Sequence, residues 1–262
     1  MNYNLTPKLK VEILEHTALL TLSNPPANTF TEESLSAIPT LMKNLSDNKE
    51  IYSLVVTGEG EKFFSAGADL NMFSDGNKAQ ARKLADLFGA AFESITAFRG
   101  VTICAINGYA MGGGLEFSLA CDIRLAEEQA QMALPEATVG LLPCAGGTQN
   151  LAWLVGEGWA KRMILCGERV DAKKALEIGL IEEILPKGQA KTHALELAKK
   201  VEKQSPTSVA RCKKLIQSAR TRPLSQGLPM ERDLFMELFD FQDQKEGVNA
   251  FLEKRKAIWK NA

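Results

Sequence analysis

The chain has 262 residues, of which 45% are hydrophobic and 24% charged, so it is long enough to bury a sizeable core. Its 31 basic and 32 acidic residues give a net charge of −1, which argues against nucleic acid or an anionic membrane as the partner, and no apolar run could span a bilayer. Five scattered cysteines and two histidines form no disulfide or metal-binding pattern, so we expect a reducing cytoplasm and no metal site.

The first half of the chain alternates short apolar segments with amphipathic ones. Residues 10–22 predict two strands around a turn, and Thr31 is the expected N-cap of a helix that runs to about Leu45. The spacing of apolar residues predicts a long helix over 78–98. Short strands are expected at four further segments, 53–57, 101–106, 122–126 and 130–133.

Beyond residue 135 the pattern becomes mainly helical. Helices are expected over 147–154, 159–166 and 172–178, a last strand over 181–184, and a helical tail from about residue 190 with breaks at Pro206 and Pro223. Short buried strands that alternate with helices predict mainly parallel strands joined by crossovers, hence an α/β body followed by a helical region.

A glycine-rich segment, AINGYAMGGGLEFSLACD at residues 105–122, carries the strongest functional signal. Gly112–Gly114 lead from a strand into a helix, where glycine allows a ligand to approach the backbone and the first N–H groups lack partners. Glu116 follows within the first turn. On this stretch alone, a tight turn with an acidic residue that complements the helix dipole is an equally good interpretation. The spacing matches neither a dinucleotide fingerprint nor a P-loop.

Three further segments extend this signal over most of the chain. They are FFSAGADL at 63–70, LPEATVGLLPCAGGTQNL at 134–151 and EGVNAFLEKRKAIW at 246–259, and SNPPANTFT at 23–31 adds a fourth. Together with the glycine-rich segment they closely resemble the enoyl-CoA hydratase/isomerase, or crotonase, superfamily. The resemblance implies a ClpP/crotonase-like α/β fold, with a spiral of ββα units and the active site in 1–195, and a helical oligomerisation region in 196–262.

The resemblance also implies a substrate and the residues that act on it. The substrate would be an acyl-CoA thioester, bound by a homo-oligomer (a trimer or hexamer), with no cofactor beyond the coenzyme A of the substrate. The backbone N–H groups of Ala66 and Gly113 would form an oxyanion hole for the thioester oxygen. Glu116 would activate water, and Glu136 would supply the proton at Cα.

Coenzyme A recognition is expected at two places in the sequence. The backbone of Ala68, Asp69 and Leu70 matches family positions that contact the adenine. Phe251 and Lys254 match C-terminal positions that reach the coenzyme A of a neighbouring subunit, where a cation suits a phosphate. For these last two residues, helix packing and simple solvation are equally good interpretations.

Glutamate at both acid–base positions favours an enoyl-CoA hydratase, a lyase of fatty-acid or branched-chain acyl-CoA degradation, because family isomerases commonly retain only the second carboxylate. The alternatives are an isomerase, or a hydratase specialised for methylglutaconyl-CoA or a polyketide-type thioester. RNA binding through the lysines of 191–203 is a remote alternative, since a balanced charge supplies little phosphate affinity. A catalytically silent scaffold is a further rival, which the intact pair of glutamates argues against.

The residues that would surround the acyl chain are less well defined. Cys144 stands where relatives mostly carry glycine or aspartate, and it is expected to be a small filler that could touch the acyl pocket. A catalytic thiol is not expected there, because no histidine lies nearby in sequence. The residues expected to set the chain-length preference are Met72, Phe73, Leu87, Phe88 and Leu142.

Overall fold

The structure, a computed structural model, describes residues 3–262, and within this range ten strands and nine α-helices are formed. The strands are β1 (Leu9–Leu14), β2 (Thr17–Leu22), β3 (Ser53–Gly58), β4 (Phe63–Ser65), β5 (Val101–Ile106), β6 (Tyr109–Met111), β7 (Ile123–Glu127), β8 (Gln131–Ala133), β9 (Val170–Asp171) and β10 (Glu183–Leu185). The helices are α1 (Glu32–Asp47), α2 (Lys78–Thr96), α3 (Gly113–Ala120), α4 (Gly147–Leu165), α5 (Ala172–Glu177), α6 (Ala190–Val201), α7 (Pro206–Ser218), α8 (Leu224–Glu237) and α9 (Gln242–Leu252).

The strands form two sheets that the chain visits alternately. The larger sheet has the order β1-β2-β3-β5-β7-β10 and the smaller one β4-β6-β8-β9. Only the β1–β2 and β8–β9 pairs are antiparallel. β3 and β4 precede α2, β5 and β6 precede α3, and β7 and β8 precede α4, so each turn adds one strand to each sheet and then a helix. This confirms the expected α/β spiral of ββα units.

Local sequence explains the first elements. Thr31 caps α1 through a capping box, in which its hydroxyl accepts from the N–H of Ser34 and the Ser34 hydroxyl accepts from the N–H of Thr31. All six residues of β3 are buried, because β2 and β5 flank the strand and helices cover the sheet. The apolar stripe of α2 is buried at Leu84, Phe88, Ala91, Phe92 and Ile95.

An aromatic cluster in the core supports the helices next to the cavity described below. Phe117 of α3 packs against Phe92 of α2 with ring centroids 5.3 Å apart, and against Phe30 at 5.7 Å. Phe88 meets Phe92 edge to face at 5.7 Å. Such pairs add to the apolar burial and fix the position of α3 against α2.

Asn107 joins the ends of two neighbouring parallel strands. Its Oδ1 accepts from the N–H of Gly58 at 3.0 Å, and its Nδ2 donates to the carbonyls of Gly58 and Gly60. At Gly108 an added Cβ would lie 2.3 Å from the carbonyl oxygen of Lys62, so only glycine fits. The loops that leave β3 and β5 are therefore held side by side.

The second half of the chain is largely helical, as expected. The break between the two helices expected near 147–166 occurs at Gly156, which has non-helical φ/ψ inside α4. The expected boundary between 195 and 196 falls inside α6, whose Ala190, Ala194 and Ala198 are buried. Within residues 3–262, no helix combines the length and the apolar character that a membrane span requires.

Candidate active site

A cavity of about 790 Å³ lies between α2, the glycine turn before α3 and the segment 135–144. Most of its lining is apolar, with two carboxyl groups in the wall. Ala66, Gly113, Glu116 and Glu136 all contribute to it, so the four expected catalytic positions come together in the fold. Its size and lining suit a small organic ligand held by few polar groups.

Close backbone contact between two loops builds one wall of the cavity. At Gly67, where φ is +90°, an added Cβ would lie 2.9 Å from the nitrogen of Gly113 and 2.7 Å from the carbonyl oxygen of Met111. At Gly114 an added Cβ would lie 2.2 Å from the carbonyl oxygen of Ser65. Side chains at these positions would push the loops apart, which gives a physical reason for glycine at both.

The structure corrects the expected oxyanion donor. The N–H of Ala66 donates to the carbonyl of Ala27 at 2.9 Å, so it is not available to a ligand, contrary to the expectation from sequence. Two residues later, Ala68 pairs with Phe30 in an isolated parallel bridge that uses the neighbouring carbonyl of Gly67 and the N–H of Asp69. Within residues 3–262 no acceptor is found for the N–H of Ala68.

Ala68 lies beside the other expected donor. Its nitrogen is 3.7 Å from the position of a Cβ built on Gly113, and both residues line the cavity. Gly113 is the first residue of α3, where the helix leaves its N–H without an intrahelical acceptor. Among the described residues, the main-chain N–H groups of Ala68 and Gly113 are therefore two neighbouring donors that this wall leaves available to a ligand.

Glu116 is clamped by the start of another helix. Its side chain is buried, and Oε1 accepts from the N–H of Ala145 at 2.8 Å and from that of Gly147 at 2.9 Å. Gly147 begins α4, so the carboxylate also meets the positive end of that helix. Burial raises the pKa of Glu116, and the bonds from Gly147 and Ala145 oppose that rise.

Glu136 has a different environment. It begins a short 3-10 turn, Glu136–Val139, directly after Pro135, and its Oε2 is buried with no hydrogen-bond partner among the described residues. Burial raises the pKa of Glu136 to about 7, and the negative charge of Glu116 adds to the rise. One carboxyl group is thus held by amides, whereas the other favours a proton near neutral pH.

Comparisons with known proteins agree with this geometry. The family model described as enoyl-CoA hydratase/isomerase matches residues 12–262. The chain belongs to the enoyl-CoA hydratase/isomerase family.

Individual relatives support the assignment over more than 90% of the chain. YngF of Bacillus subtilis is 38% identical over 247 residues, which make up 94% of this chain and 95% of that protein. The short-chain-enoyl-CoA hydratase of Clostridium acetobutylicum is 34% identical and covers 91% of this chain, which in turn covers 92% of it. The solved structure of Pseudomonas aeruginosa DspI is 63% identical, with a TM-score of 0.95 and 97% of each chain covered.

The positions where the family resemblance predicts coenzyme A contacts are only partly gathered at the cavity. Ala68 and Leu70 line it. Asp69, for which a backbone contact is expected, is not part of the lining, and its carboxylate accepts from the N–H and the side-chain amide of Asn71, capping the 3-10 turn that follows. Phe251, which is 83% exposed, and Lys254 are expected to reach the coenzyme A of a neighbouring subunit, and they do not line the cavity of their own chain. Among the described residues, no lysine or arginine lines the cavity.

Only some of the residues expected to contact the acyl chain line the cavity. Phe73, Phe88 and Leu142 line the cavity, whereas Met72 and Leu87 pack against the hydrophobic core. The sequence did not single out several further lining residues, whose contribution depends on the conformation of the segment 135–144 and on the facing side of α2: Ala81, Ala85, Thr138, Val139 and Leu141.

Cys144 also lines the cavity. Burial raises the pKa of its thiol to about 11, and the charges of Glu116 and Glu136 add to this rise. The thiol is therefore protonated at neutral pH, which argues against a role as nucleophile. Within the part of the chain that the structure describes, no group of three histidine, cysteine, aspartate or glutamate residues is placed to hold a metal ion.

Proposed function

We propose that this protein is an enoyl-CoA hydratase, a lyase that adds water across the 2,3 double bond of an enoyl-CoA thioester. The observation that carries the proposal is the pair of carboxyl groups, Glu116 and Glu136, in one cavity wall with the free N–H groups of Ala68 and Gly113. Several relatives with about one third identity over most of the chain carry enoyl-CoA hydratase names.

The amides of Ala68 and Gly113 would bind the thioester oxygen. Addition of water at Cβ pushes electron density onto this oxygen, so the transition state resembles an enolate that two fixed N–H groups stabilise more than the ground state. One such donor typically contributes about 3 kcal/mol of transition-state stabilisation. Gly113 begins α3, so the positive end of the helix dipole would stabilise the same negative charge.

Glu116 would act as the general base. With Oε1 held by the N–H groups of Ala145 and Gly147, the carboxylate cannot turn, and Oε2 makes no hydrogen bond within the described residues. This oxygen is therefore free to accept a proton from a water molecule as the water attacks Cβ. Burial raises the pKa of Glu116, and the two amide bonds oppose this rise and so favour the ionised form that a base requires.

Glu136 would act as the general acid. A pKa of about 7 leaves a substantial fraction of its carboxyl group protonated at neutral pH, ready to donate to Cα. The hydroxyl then stands on Cβ, the new proton on Cα, and the water's other proton on Glu116. Return of that proton to Glu136 through solvent restores the starting state, and dehydration runs the same steps in reverse.

An isomerase is the second candidate. Moving a double bond along the chain requires one carboxyl group that removes a proton at one carbon and returns it at another. The two N–H groups that hold Glu116 Oε1 are not needed for that reaction, whereas in hydration they would orient the carboxylate toward a water molecule. This difference favours the hydratase.

We also propose a homo-oligomer, a trimer or hexamer, in which a second subunit completes coenzyme A binding. Two features support it: no lysine or arginine of the described chain lines the cavity, and the last helices expose large apolar side chains. These include Leu224, Phe235, Met236 and Leu252. Coenzyme A enters with the substrate, so the proposal includes no other cofactor. A cytoplasmic place in fatty-acid degradation suits the five free cysteines and this substrate class.

The test is the loss of absorbance of the conjugated thioester when purified protein meets crotonyl-CoA. Glu116→Gln and Glu136→Gln should each lower turnover by about 10²–10⁴-fold. Glu157→Gln is the matched control, because Glu157 is an exposed carboxylate paired with Lys161 outside the cavity. Near wild-type turnover in either cavity variant contradicts the proposal. A 3-enoyl-CoA converted faster than crotonyl-CoA would instead identify an isomerase.

A further inference from the structure

A second cavity, of about 370 Å³, adjoins the active-site cavity and shares one lining residue with it. Its walls come from the C-terminal half of α2, the end of α3, the segment 144–146, and side chains of α4 and α7. The volume is within the range of ligand-binding cavities in proteins. None of the steps in the proposed hydration mechanism uses this space.

Helix α2 forms a continuous wall along both cavities. It contributes Ala81, Ala85 and Phe88 to the active-site cavity, and Gly89, Phe92, Glu93 and Thr96 to the second one, which its C-cap residue Ala97 also lines. From Ala81 to Thr96 this wall is about 22 Å long at the helical rise of 1.5 Å per residue. At Gly89 the wall has no side chain, and an added Cβ would meet only Glu93 Oε1, at 3.6 Å. The second cavity therefore continues the line of the first.

Cys144 is the one described residue that lines both cavities. Glu116 and Glu136 line the first cavity together with Cys144, and their charges add to the rise in the pKa of its thiol. An acyl chain that runs from those carboxyl groups into the second cavity would pass Cys144, since this residue lines both spaces. The side chain of Cys144 thus stands at the junction between the two spaces.

Two amide side chains around the second cavity are engaged within the protein, whereas the carboxylate of Glu93, which also lines it, is exposed and stays in contact with water. Gln217 Nε2 donates to the carbonyl of Thr96 at 3.0 Å, and Asn150 Oδ1 accepts from Arg220 at 3.2 Å. The remaining walls include Phe92 and several alanines. An apolar occupant would leave these hydrogen bonds intact and would bury its surface against carbon atoms.

We propose that the second cavity receives the distal carbons of the acyl chain, and that Cys144 is the partition that determines how long a chain can enter. This inference rests on the proposed hydratase function and names the substrate class of the same site: linear enoyl-CoA thioesters longer than the first cavity alone can hold. Each methylene group that moves from water into such a cavity contributes about fourfold in kcat/KM, the equivalent of about 0.8 kcal/mol.

The experiment compares kcat/KM for linear 2-enoyl-CoA substrates of four to twelve carbons. Gly89→Leu fills the second cavity from the α2 wall without touching the lining of the first, and helix propensity favours leucine over glycine. We expect the ratio of long-chain to crotonyl-CoA kcat/KM to fall about fourfold for each methylene excluded, so about 15-fold for two. Cys144→Gly should shift the preference toward longer chains. Gly158→Leu, an exposed position of α4 with open space around it, should leave the ratio unchanged.

Binding of saturated acyl-CoA thioesters, measured by calorimetry, separates this inference from the proposed function. If wild-type protein binds these thioesters but does not hydrate crotonyl-CoA, the hydratase proposal fails, and the chain-length dependence of Kd still tests the cavity. If Gly89→Leu and Cys144→Gly both keep the wild-type dependence on chain length, the second cavity holds only solvent and the inference is overturned.

Discussion

Replacement of Glu116 by glutamine or by alanine separates its chemical task from its structural one. Glutamine keeps a side-chain oxygen that can accept from the N–H groups of Ala145 and Gly147, which now lie 2.8 and 2.9 Å from Oε1. It loses the base, so turnover should fall by about 10²–10⁴-fold, equivalent to about 3–5 kcal/mol in activation free energy. Alanine should lose a similar factor in turnover.

The two variants should differ in stability. Alanine leaves two N–H donors without an acceptor, and each such buried group costs about 1–3 kcal/mol. Water that enters from the cavity reduces the loss, so we expect Glu116→Ala to be less stable than Glu116→Gln by about 2 kcal/mol. Because burial raises the pKa of Glu116, the ionised carboxylate costs folding free energy at neutral pH, and Glu116→Gln should be at least as stable as wild type.

The assay combines crotonyl-CoA hydration with denaturant unfolding of wild type and both variants at pH 7. Equal stability of the alanine and glutamine variants would show that the amide clamp is not a significant interaction. Near wild-type turnover in the glutamine variant would refute the assignment of Glu116 as base.

The contacts of Gly147, Glu136 and Lys213 lead to four further predictions. Gly147→Ala would place a Cβ 2.8 Å from Glu116 Oε1, and we expect kcat in the crotonyl-CoA assay to fall by up to about 100-fold because the base is displaced; an unchanged kcat contradicts this. The hydration rate should fall as pH rises through about 7, where Glu136 loses its proton, and Glu136→Gln should lack that dependence in a pH–rate profile. The raised pKa of Glu136 also means that the folded state binds this proton more tightly than the unfolded state, which stabilises the fold at acid pH. This contribution to the free energy of unfolding is lost as pH rises to about 7. In Glu136→Gln, the free energy of unfolding should therefore lack this dependence on pH. Lys213→Met should lower that free energy, measured with denaturant, by about 3 kcal/mol, because the Lys213 ammonium is 2.8 Å from the Asp122 carboxylate in a largely buried pair.

The spiral fold could be predicted from sequence where segments were long enough to show their pattern. The strands of the larger sheet and the helix boundaries at Thr31 and near Gly156 were predicted within a few residues. All four strands of the smaller sheet have only two or three residues, too few for an alternating pattern to appear, and of these strands only β8 was predicted. They exist because neighbouring turns of the spiral supply their partners.

In the site, the residues that belong to local motifs could be predicted, whereas the contacts between distant segments could not. Both glutamates and the glycine turn could be identified from their motifs. The choice between Ala66 and Ala68 could not, because it depends on which N–H the segment 27–30 leaves without a partner. The clamp on Glu116 depends on amides 29 and 31 residues further along the chain, and the second cavity depends on α7. Such contacts are properties of packing, which local sequence does not encode.

The most direct test of the account is a single progress curve of crotonyl-CoA with purified wild-type protein, repeated with a variant that carries both Glu116→Gln and Glu136→Gln. The account predicts that the wild type removes the absorbance of the conjugated thioester and forms 3-hydroxybutyryl-CoA, whereas the double variant does neither above background. Wild-type protein that binds crotonyl-CoA yet forms no hydroxyacyl product would contradict the central claim that these two carboxyl groups deliver water and a proton to one double bond.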